Sequence, residues 1–342
     1  MTKVLLTGGS GFIAAHCLEQ LLAKNHTVVT TVRTDAKRQA ILDAYPDAVA
    51  ASRLDVHIVP DIAQLDAFNE VLQVPGLEAV LHTASPFHFH WSDPQTELID
   101  PAVNGTTGIL RAIQAHGKDV RRVVVTSSFA AILDETKFAD PTHTFTEASW
   151  NPSTVDNIHD SKPTAYRVSK TLAERAAWDF VGREKPAFDL VTVCPPLVFG
   201  PVVHHLATLE NINTSNERIV TLLKGGWKDK IPDTGAVPLW VDVRDVARAH
   251  VVAMEKAELG GQRLFTTPGC MSHREIVDIV RRKCPEFKDR LPAESVQGGE
   301  RPKDSEMFSY DVSKTNKLLG IEWIGLEKSI GDLVESLKGK GI

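Results

Sequence analysis

The 342-residue sequence predicts an α/β fold: a doubly wound parallel sheet with a smaller, mainly helical C-terminal part. Three observations carry this. Short β-branched runs alternate with longer helical patterns up to about Gly200. Those runs are apolar on both faces, as strands buried under helices on each side are. After Gly200 the alternation stops and loop-rich and helical segments take over.

Taken in order, residues 3–7 predict a first strand and 13–23 a helix. Residues 27–32 make a second strand, followed by a helical pattern over 36–44. Apolar runs at 56–60, 79–82, 122–126 and 190–193 continue the sheet. Residues 201–238 are loop-rich, with one helical pattern near 217–224. Order returns at 241–256, where Asp242 is placed to cap a helix carrying Val246, Ala249, His250 and Ala253. Residues 263–267 suit another strand, and Ser272-His273-Arg274-Glu275 is a capping-box signature opening a helix to about Arg282. Residues 313–319 and 326–337 are two closing helices.

The glycine loop Thr7-Gly8-Gly9-Ser10-Gly11-Phe12-Ile13-Ala14 stands between the first strand and the first helix. Gly8 allows a tight turn, Gly11 a close approach of backbone to a pyrophosphate, and Ala14 close packing of helix on sheet. The helix N-terminus then offers unpaired N–H groups and partial positive charge to phosphates. This makes the sheet Rossmann-like and Gly8, Gly9, Ser10, Gly11, Phe12 and Ile13 candidate cofactor residues. About 20 residues on, NAD-binding chains place an acid on the ribose 2′-OH. Here Arg33 follows the second strand, with Lys37 one turn later. A guanidinium fork beside an ammonium suits a 2′-phosphate, so NADPH is the cofactor expected. Asp35 lies between the two and is the argument for NAD.

Tyr166 and Lys170 are spaced i, i+4 on a helical pattern, so phenol and ammonium share one face. A neighbouring cation is expected to lower the phenol's pKa from about 10 towards a useful acid–base range. Thr126-Ser127-Ser128 ends a central apolar strand, where hydroxyls face the crevice in which α/β sheets bind ligands. A serine there can donate to a carbonyl oxygen on which charge develops.

Glycine loop, strand-end serine and YxxxK in this order resemble the extended branch of the short-chain dehydrogenase/reductases. The resemblance covers nearly the whole chain and, within that branch, is to NADPH-dependent fungal aldehyde and ketone reductases. It is carried further by Val59-Pro60-Asp61-Ile62, His82-Thr83-Ala84-Ser85-Pro86-Phe87, Pro101-Ala102-Val103-Asn104-Gly105, Ser149-Trp150-Asn151-Pro152 and Val241-Asp242-Val243-Arg244-Asp245-Val246. It implies Ser128, Tyr166 and Lys170 as the catalytic set: Tyr166 protonates the carbonyl oxygen, Ser128 holds it and Lys170 also contacts the nicotinamide ribose. It further implies Asp61 and Ile62 flanking the adenine, Arg33 and Lys37 on the 2′-phosphate, and Val198 and Ser215 completing the cofactor site.

Three departures bear on the substrate pocket and leave the reaction class alone. Cys194 replaces an asparagine of the relatives, Pro196-Leu197 a valine–tyrosine pair, and Phe129 a tyrosine of a yeast member. Phe87 and Phe129 are the expected pocket walls. The implied domains are 1–199 with 241–268 for NADPH, and 200–240 with 269–342 for the substrate. The function expected is reduction of small aldehydes, ketones, 2-oxoaldehydes or diketones. A nucleotide-sugar epimerase or dehydratase of the same branch, and a non-catalytic NADP(H)-sensing regulator, are the alternatives; Arg33 argues against the first and the intact Tyr166 and Lys170 against the second.

Bulk properties agree with such an enzyme. The chain is 42% hydrophobic and 24% charged with a net charge of -6, and no basic stripe suggests a nucleic-acid face. No stretch approaches the roughly 18 apolar residues of a membrane span. Four scattered cysteines without a CxxC pair read as reduced thiols of a cytoplasmic protein. A monomer or homodimer is expected. His88, His90, His204 and His205 lack partners at ligand spacing, so no metal is expected.

Overall fold

The computed structural model describes residues 1–85, 91–203 and 208–342. Its strands are β1 (Lys3–Thr7), β2 (Thr27–Val32), β3 (Leu54–Ile58), β4 (Ala79–His82), β5 (Arg122–Thr126) and β6 (Thr144–Phe145), then β7 (Asp189–Cys194), β8 (Leu197–Phe199), β9 (Leu239–Asp242), β10 (Arg263–Phe265), β11 (Gly269–Cys270) and β12 (Ser309–Tyr310). Its helices are α1 (Phe12–Ala23), α2 (Asp35–Ala44), α3 (Pro46–Ala50), α4 (Asp100–His116) and α5 (Lys162–Glu184), then α6 (Thr214–Leu223), α7 (Val243–Glu255), α8 (His273–Lys283), α9 (Ser313–Leu319) and α10 (Leu326–Leu337).

The residues fall into two compact units. The first comprises Met1–Asp134, Glu147–Cys194 and Ala247–Phe265; the second comprises Glu135–Thr146, Pro195–Val246 and Thr266–Ile342. These boundaries differ from those expected. Residues 135–146 join the second unit because β6 pairs with β12, and Phe145 packs edge-on against Phe308 at 5.0 Å. Residues 195–199 and 241–246 join it because β8 pairs with β9.

The first unit holds a seven-stranded sheet in the order β10-β7-β5-β4-β1-β2-β3, all its pairs parallel. The order reverses direction between β1 and β4, and ligands of such sheets bind outside the carboxyl ends at that point. Successive side chains of a strand point to opposite faces, and both faces are covered. Leu5, Val29, Val80, Val123 and Leu190 share one core with Ile109 and Ile113 of α4 and with Ala177 and Phe180 of α5. Val4 and Leu6, on the other face, have no exposure either.

β3 lies two residues earlier than expected, because Leu54 pairs with Val28 and Ile58 with Val32. Pro60, with no N–H to give, lies beyond it. The second unit contains β11-β9-β8, the β12-β6 pair and helices α6 and α8 to α10. Helix α8 opens with the capping box read from Ser272 and Glu275: Ser272 Oγ accepts from Glu275 N–H at 3.0 Å, and Glu275 accepts from Ser272 N–H at 3.0 Å. Asp242 accepts from Arg244 N–H at 2.8 Å in the first turn of α7.

Candidate active site

The glycine loop turns sharply at Gly8, whose φ of 73° favours glycine; a Cβ there would stand 3.1 Å from Ala84. The Gly8 N–H donates to Thr31 Oγ1 at 3.1 Å and the Gly9 N–H to Thr31 O at 2.8 Å, which ties the loop to the end of β2. Gly9 is buried, and a Cβ on it would overlap Thr30 Oγ1. Gly9 therefore packs inward, beneath the surface that Gly8, Ser10 and Gly11 form. Gly11 is the N-cap of α1, so Phe12, Ile13 and Ala14 carry the first-turn amides that no helical carbonyl reaches. Ala14 is buried against the sheet.

A cleft of about 240 Å³ opens over this loop. Gly8, Ser10 and Gly11 line it from the end of β1, and Thr31, Val32, Arg33 and Lys37 from the end of β2. Val59 and Ile62 add the end of β3, and Thr83, Ala84 and Ser85 that of β4. All four edges are carboxyl ends flanking the reversal point of the sheet.

Arg33 and Lys37 are exposed, and among the described residues neither forms an ion pair within the protein. Asp35 instead pairs with Arg38 at 3.6 Å. The carboxylate that argued for NAD is thus turned to another cation, while two positive groups face the cleft. Asp61 is exposed and its carboxylate accepts from Ala63 N–H at 2.9 Å and from Gln64 Nε2 at 2.8 Å. These bonds and the Arg33 charge hold it below the usual carboxylate range. The unpaired cations and the glycine cradle fit a dinucleotide bearing an extra phosphate.

Tyr166 and Lys170 lie in the first three turns of α5, which Ser161 caps by accepting from Thr164 N–H at 3.1 Å. Pro163 follows in the first turn, where its missing N–H costs nothing. Ser128 follows β5 and caps the single 3-10 turn Phe129–Ala131, its Oγ accepting from Ala130 N–H at 3.1 Å. Its side chain is also hydrogen bonded to Tyr166, in the sense that favours the phenolate. Lys170 Nζ donates to Ser85 Oγ at 3.4 Å and to Thr126 O at 3.5 Å. The three residues read from the sequence are therefore gathered at the ends of β4 and β5.

The acid–base balance differs from the expectation. Burial pushes the Tyr166 phenol above its ordinary value, and the Ser128 hydrogen bond opposes this. The cost of burying a cation pulls Lys170 down to about 8, against the Glu174 charge. Tyr166 is thus held protonated near neutrality, the form a proton donor needs. His82, buried on β4, is driven down to about 3 by burial and by Lys170, and binds Thr7 Oγ1 at 2.9 Å.

Phe129 is not a pocket wall here. Its ring is 2% exposed and stacks on Phe265 at 4.8 Å, and this core packing accounts for it without a substrate. Phe87 lies outside the described residues, as do His88, His90, His204 and His205. Among the described residues, no three His, Cys, Asp or Glu side chains are grouped to hold a metal, and no helix is long and apolar enough to cross a membrane. In the second unit, Val198 N–H donates to Ser215 Oγ at 3.1 Å, so these two implied cofactor residues are joined to each other.

Sequence reasoning missed Glu174, the next position in the Tyr166–Lys170 ladder. Its carboxylate is 1% exposed and accepts from Ser127 Oγ at 2.6 Å, Thr192 Oγ1 at 2.8 Å, Trp178 Nε1 at 3.2 Å and Arg263 Nε at 2.7 Å. Arg263 also donates to the carbonyls of Glu147 and Ser149 at 2.6 Å, and lies 3.8 Å over the Trp150 ring. The i+4 spacing was the available signal; the partner on β10 left none.

Comparison with known proteins identifies the family. The model of the NAD dependent epimerase/dehydratase family matches residues 4–265. The ketoreductase azaE of Aspergillus niger is 43% identical, over 98% of this chain and 97% of that protein. The crystal structure of Gre2 from Candida albicans in complex with NADPH has a TM-score of 0.89 at 36% identity, covering 100% of both chains. That of yeast methylglyoxal/isovaleraldehyde reductase Gre2 complexed with NADPH has a TM-score of 0.88 at 35% identity, covering 99% of both. The chain belongs to the NAD dependent epimerase/dehydratase family, the extended short-chain dehydrogenase/reductases.

Proposed function

We propose that this chain is an NADPH-dependent carbonyl reductase that converts small aldehydes, ketones, 2-oxoaldehydes or diketones to alcohols. The observation that carries the reading is the hydrogen-bonded pair of Ser128 and Tyr166 beside the buried cation of Lys170. When bound, NADPH supplies the hydride that reduces the carbonyl carbon. Tyr166 gives its phenolic proton to the carbonyl oxygen, so hydride and proton together make the alcohol. Ser128 donates its hydroxyl to that oxygen as negative charge gathers there. Lys170 stabilises the phenolate left on Tyr166 and contacts the nicotinamide ribose.

Arg33 and Lys37 hold the 2′-phosphate, and the turn from Gly8 to Ile13 receives the pyrophosphate, with Gly9 as its packing element. Asp61 and Ile62 flank the adenine, and Val198 and Ser215 complete the cofactor contacts. Residues 200–240 and 269–342 are assigned to substrate binding. The net charge of -6 supports a small-molecule partner over nucleic acid, and we place the enzyme in the cytoplasm as a monomer or homodimer. An epimerase would hold NAD, and the unpaired Arg33 and Lys37 favour the phosphorylated cofactor instead.

The test is oxidation of NADPH by the purified protein across a panel of aldehydes, diketones, aryl ketones and flavanonols. Turnover with at least one carbonyl class, with NADH much the poorer donor, is the expected result. No oxidation with any of them, despite measurable NADPH binding, would overturn the proposal in favour of a sensing role.

A further inference from the structure

Lys170 and Glu174 line one small cavity, of about 10 Å³, together with His82, Ser85, Thr126 and Ser127. The carboxylate is anchored on three sides: by Ser127 at the end of β5, by Thr192 on β7 and by Arg263 on β10. The bond from Ser127 Oγ, at 2.6 Å, reaches the residue directly before Ser128. Arg263 is fixed in turn by the carbonyls of Glu147 and Ser149 and by the Trp150 ring. Trp150 precedes Asn151, whose Nδ2 donates to Ala130 O at 3.0 Å and whose N–H donates to Ala131 O at 3.0 Å, within the turn that Ser128 caps. One buried charge therefore ties the helix bearing Tyr166 and Lys170 to the loop bearing Ser128.

Lys170 itself has weak company. Its own hydrogen bonds are 3.4 and 3.5 Å long, and both go to neutral oxygens. The titratable groups facing it are Tyr166 and Glu174 on its own helix, His82 on β4 and Cys194 on β7, with Arg263 on β10 behind Glu174. Burial keeps His82 and the Cys194 thiol neutral. Among the groups named here, Glu174 is then the anion next to the lysine.

We propose that Glu174 is a positioning residue for carbonyl reduction, its buried carboxylate keeping Lys170 cationic and locking the Ser127–Ser128 strand end to α5. This rests on the assignment of Lys170 to the catalytic set. Arg263 and the two hydroxyls hold Glu174 below its ordinary range against the burial that would raise it, so the anion persists across neutral pH.

The test is the pH dependence of kcat/KM for Glu174→Gln and Glu174→Asp beside the unaltered enzyme. Removing the anion makes Lys170 lose its proton more readily, so the alkaline limb of E174Q should move to lower pH by about one unit. E174D, with the charge drawn back by one methylene, should shift less in the same direction. Near pH 6, where Lys170 stays protonated in every variant, most of the lost activity should return. A loss of equal size at every pH, with the limb unmoved in both variants, would overturn the proposal and leave Glu174 a structural brace. If E174Q does not fold, the limb of E174D decides alone, by shifting down or staying in place. Lys170→Met separates the two claims: if it still turns over, the catalytic assignment fails whatever Glu174 does. If it is inactive while both Glu174 variants keep the normal limb, only the present inference fails.

Discussion

Gly9 packs so closely on Thr30 that a single added methyl group would overlap the threonine hydroxyl. Thr30 is held in place, because its Oγ1 donates to Leu6 O at 2.7 Å and both residues are fully buried. Gly9→Ala should therefore lower stability by about 1–3 kcal/mol through overpacking, and weaken NADPH binding as the loop shifts. Adding Thr30→Ala removes the overlapping atoms, so the double variant should recover part of the loss. Thermal melts and NADPH titrations of both single variants and the pair check this; simple additivity would contradict it.

Among the described residues Arg33 forms no ion pair that would draw it out of the cleft. Arg33→Ala should raise the NADPH Michaelis constant by roughly 10- to 100-fold, the range expected for losing a charged hydrogen bond. The constant for NADH should change little. Equal effects on both cofactors would show that Arg33 does not read the 2′-phosphate.

Burial depresses Lys170 to about 8, below its ordinary 10.5. In the proposed mechanism the ammonium is the working form, so kcat/KM should fall as pH rises through about 8. The same burial makes the charge a cost to the fold. Between about 8 and 10.5 the unfolded chain binds the proton and the native one does not, so this group makes stability rise with pH across that window. Lys170→Met should accordingly abolish turnover without lowering the melting temperature at neutral pH. A clear drop in that temperature would contradict the account of its burial.

Much of this was legible because it is local. The strand–glycine–helix order, the i, i+4 spacing of Tyr166 and Lys170 and the capping box at Ser272 each follow from neighbours in sequence. Helix α4 was not, because Gly105, Thr106, Thr107 and Gly108 interrupt its apolar pattern with poor helix formers. Its threonines satisfy their hydroxyls on carbonyls one turn back, Thr106 on Ala102 O at 2.9 Å and Thr107 on Val103 O at 2.8 Å. Arg263 was read only as a strand residue, since its partner Glu174 lies 89 positions away and nothing near either marks the pair. Phe129 resembles a pocket wall in sequence because its stacking partner Phe265 lies far along the chain. The raised Tyr166 pKa was missed for the same reason: spacing reports the nearby cation and is silent on burial.

The proposed reduction depends above all on Tyr166 donating the proton. Tyr166→Phe keeps the ring and removes only the hydroxyl, so it should bind NADPH as the unaltered chain does. The direct measurement is NADPH oxidation with the best carbonyl substrate, with cofactor affinity measured on the same preparation. The account predicts a loss of at least about 10²-fold in kcat, the lower range for removing a general acid, at unchanged NADPH affinity. Substantial residual turnover with NADPH still bound would contradict it.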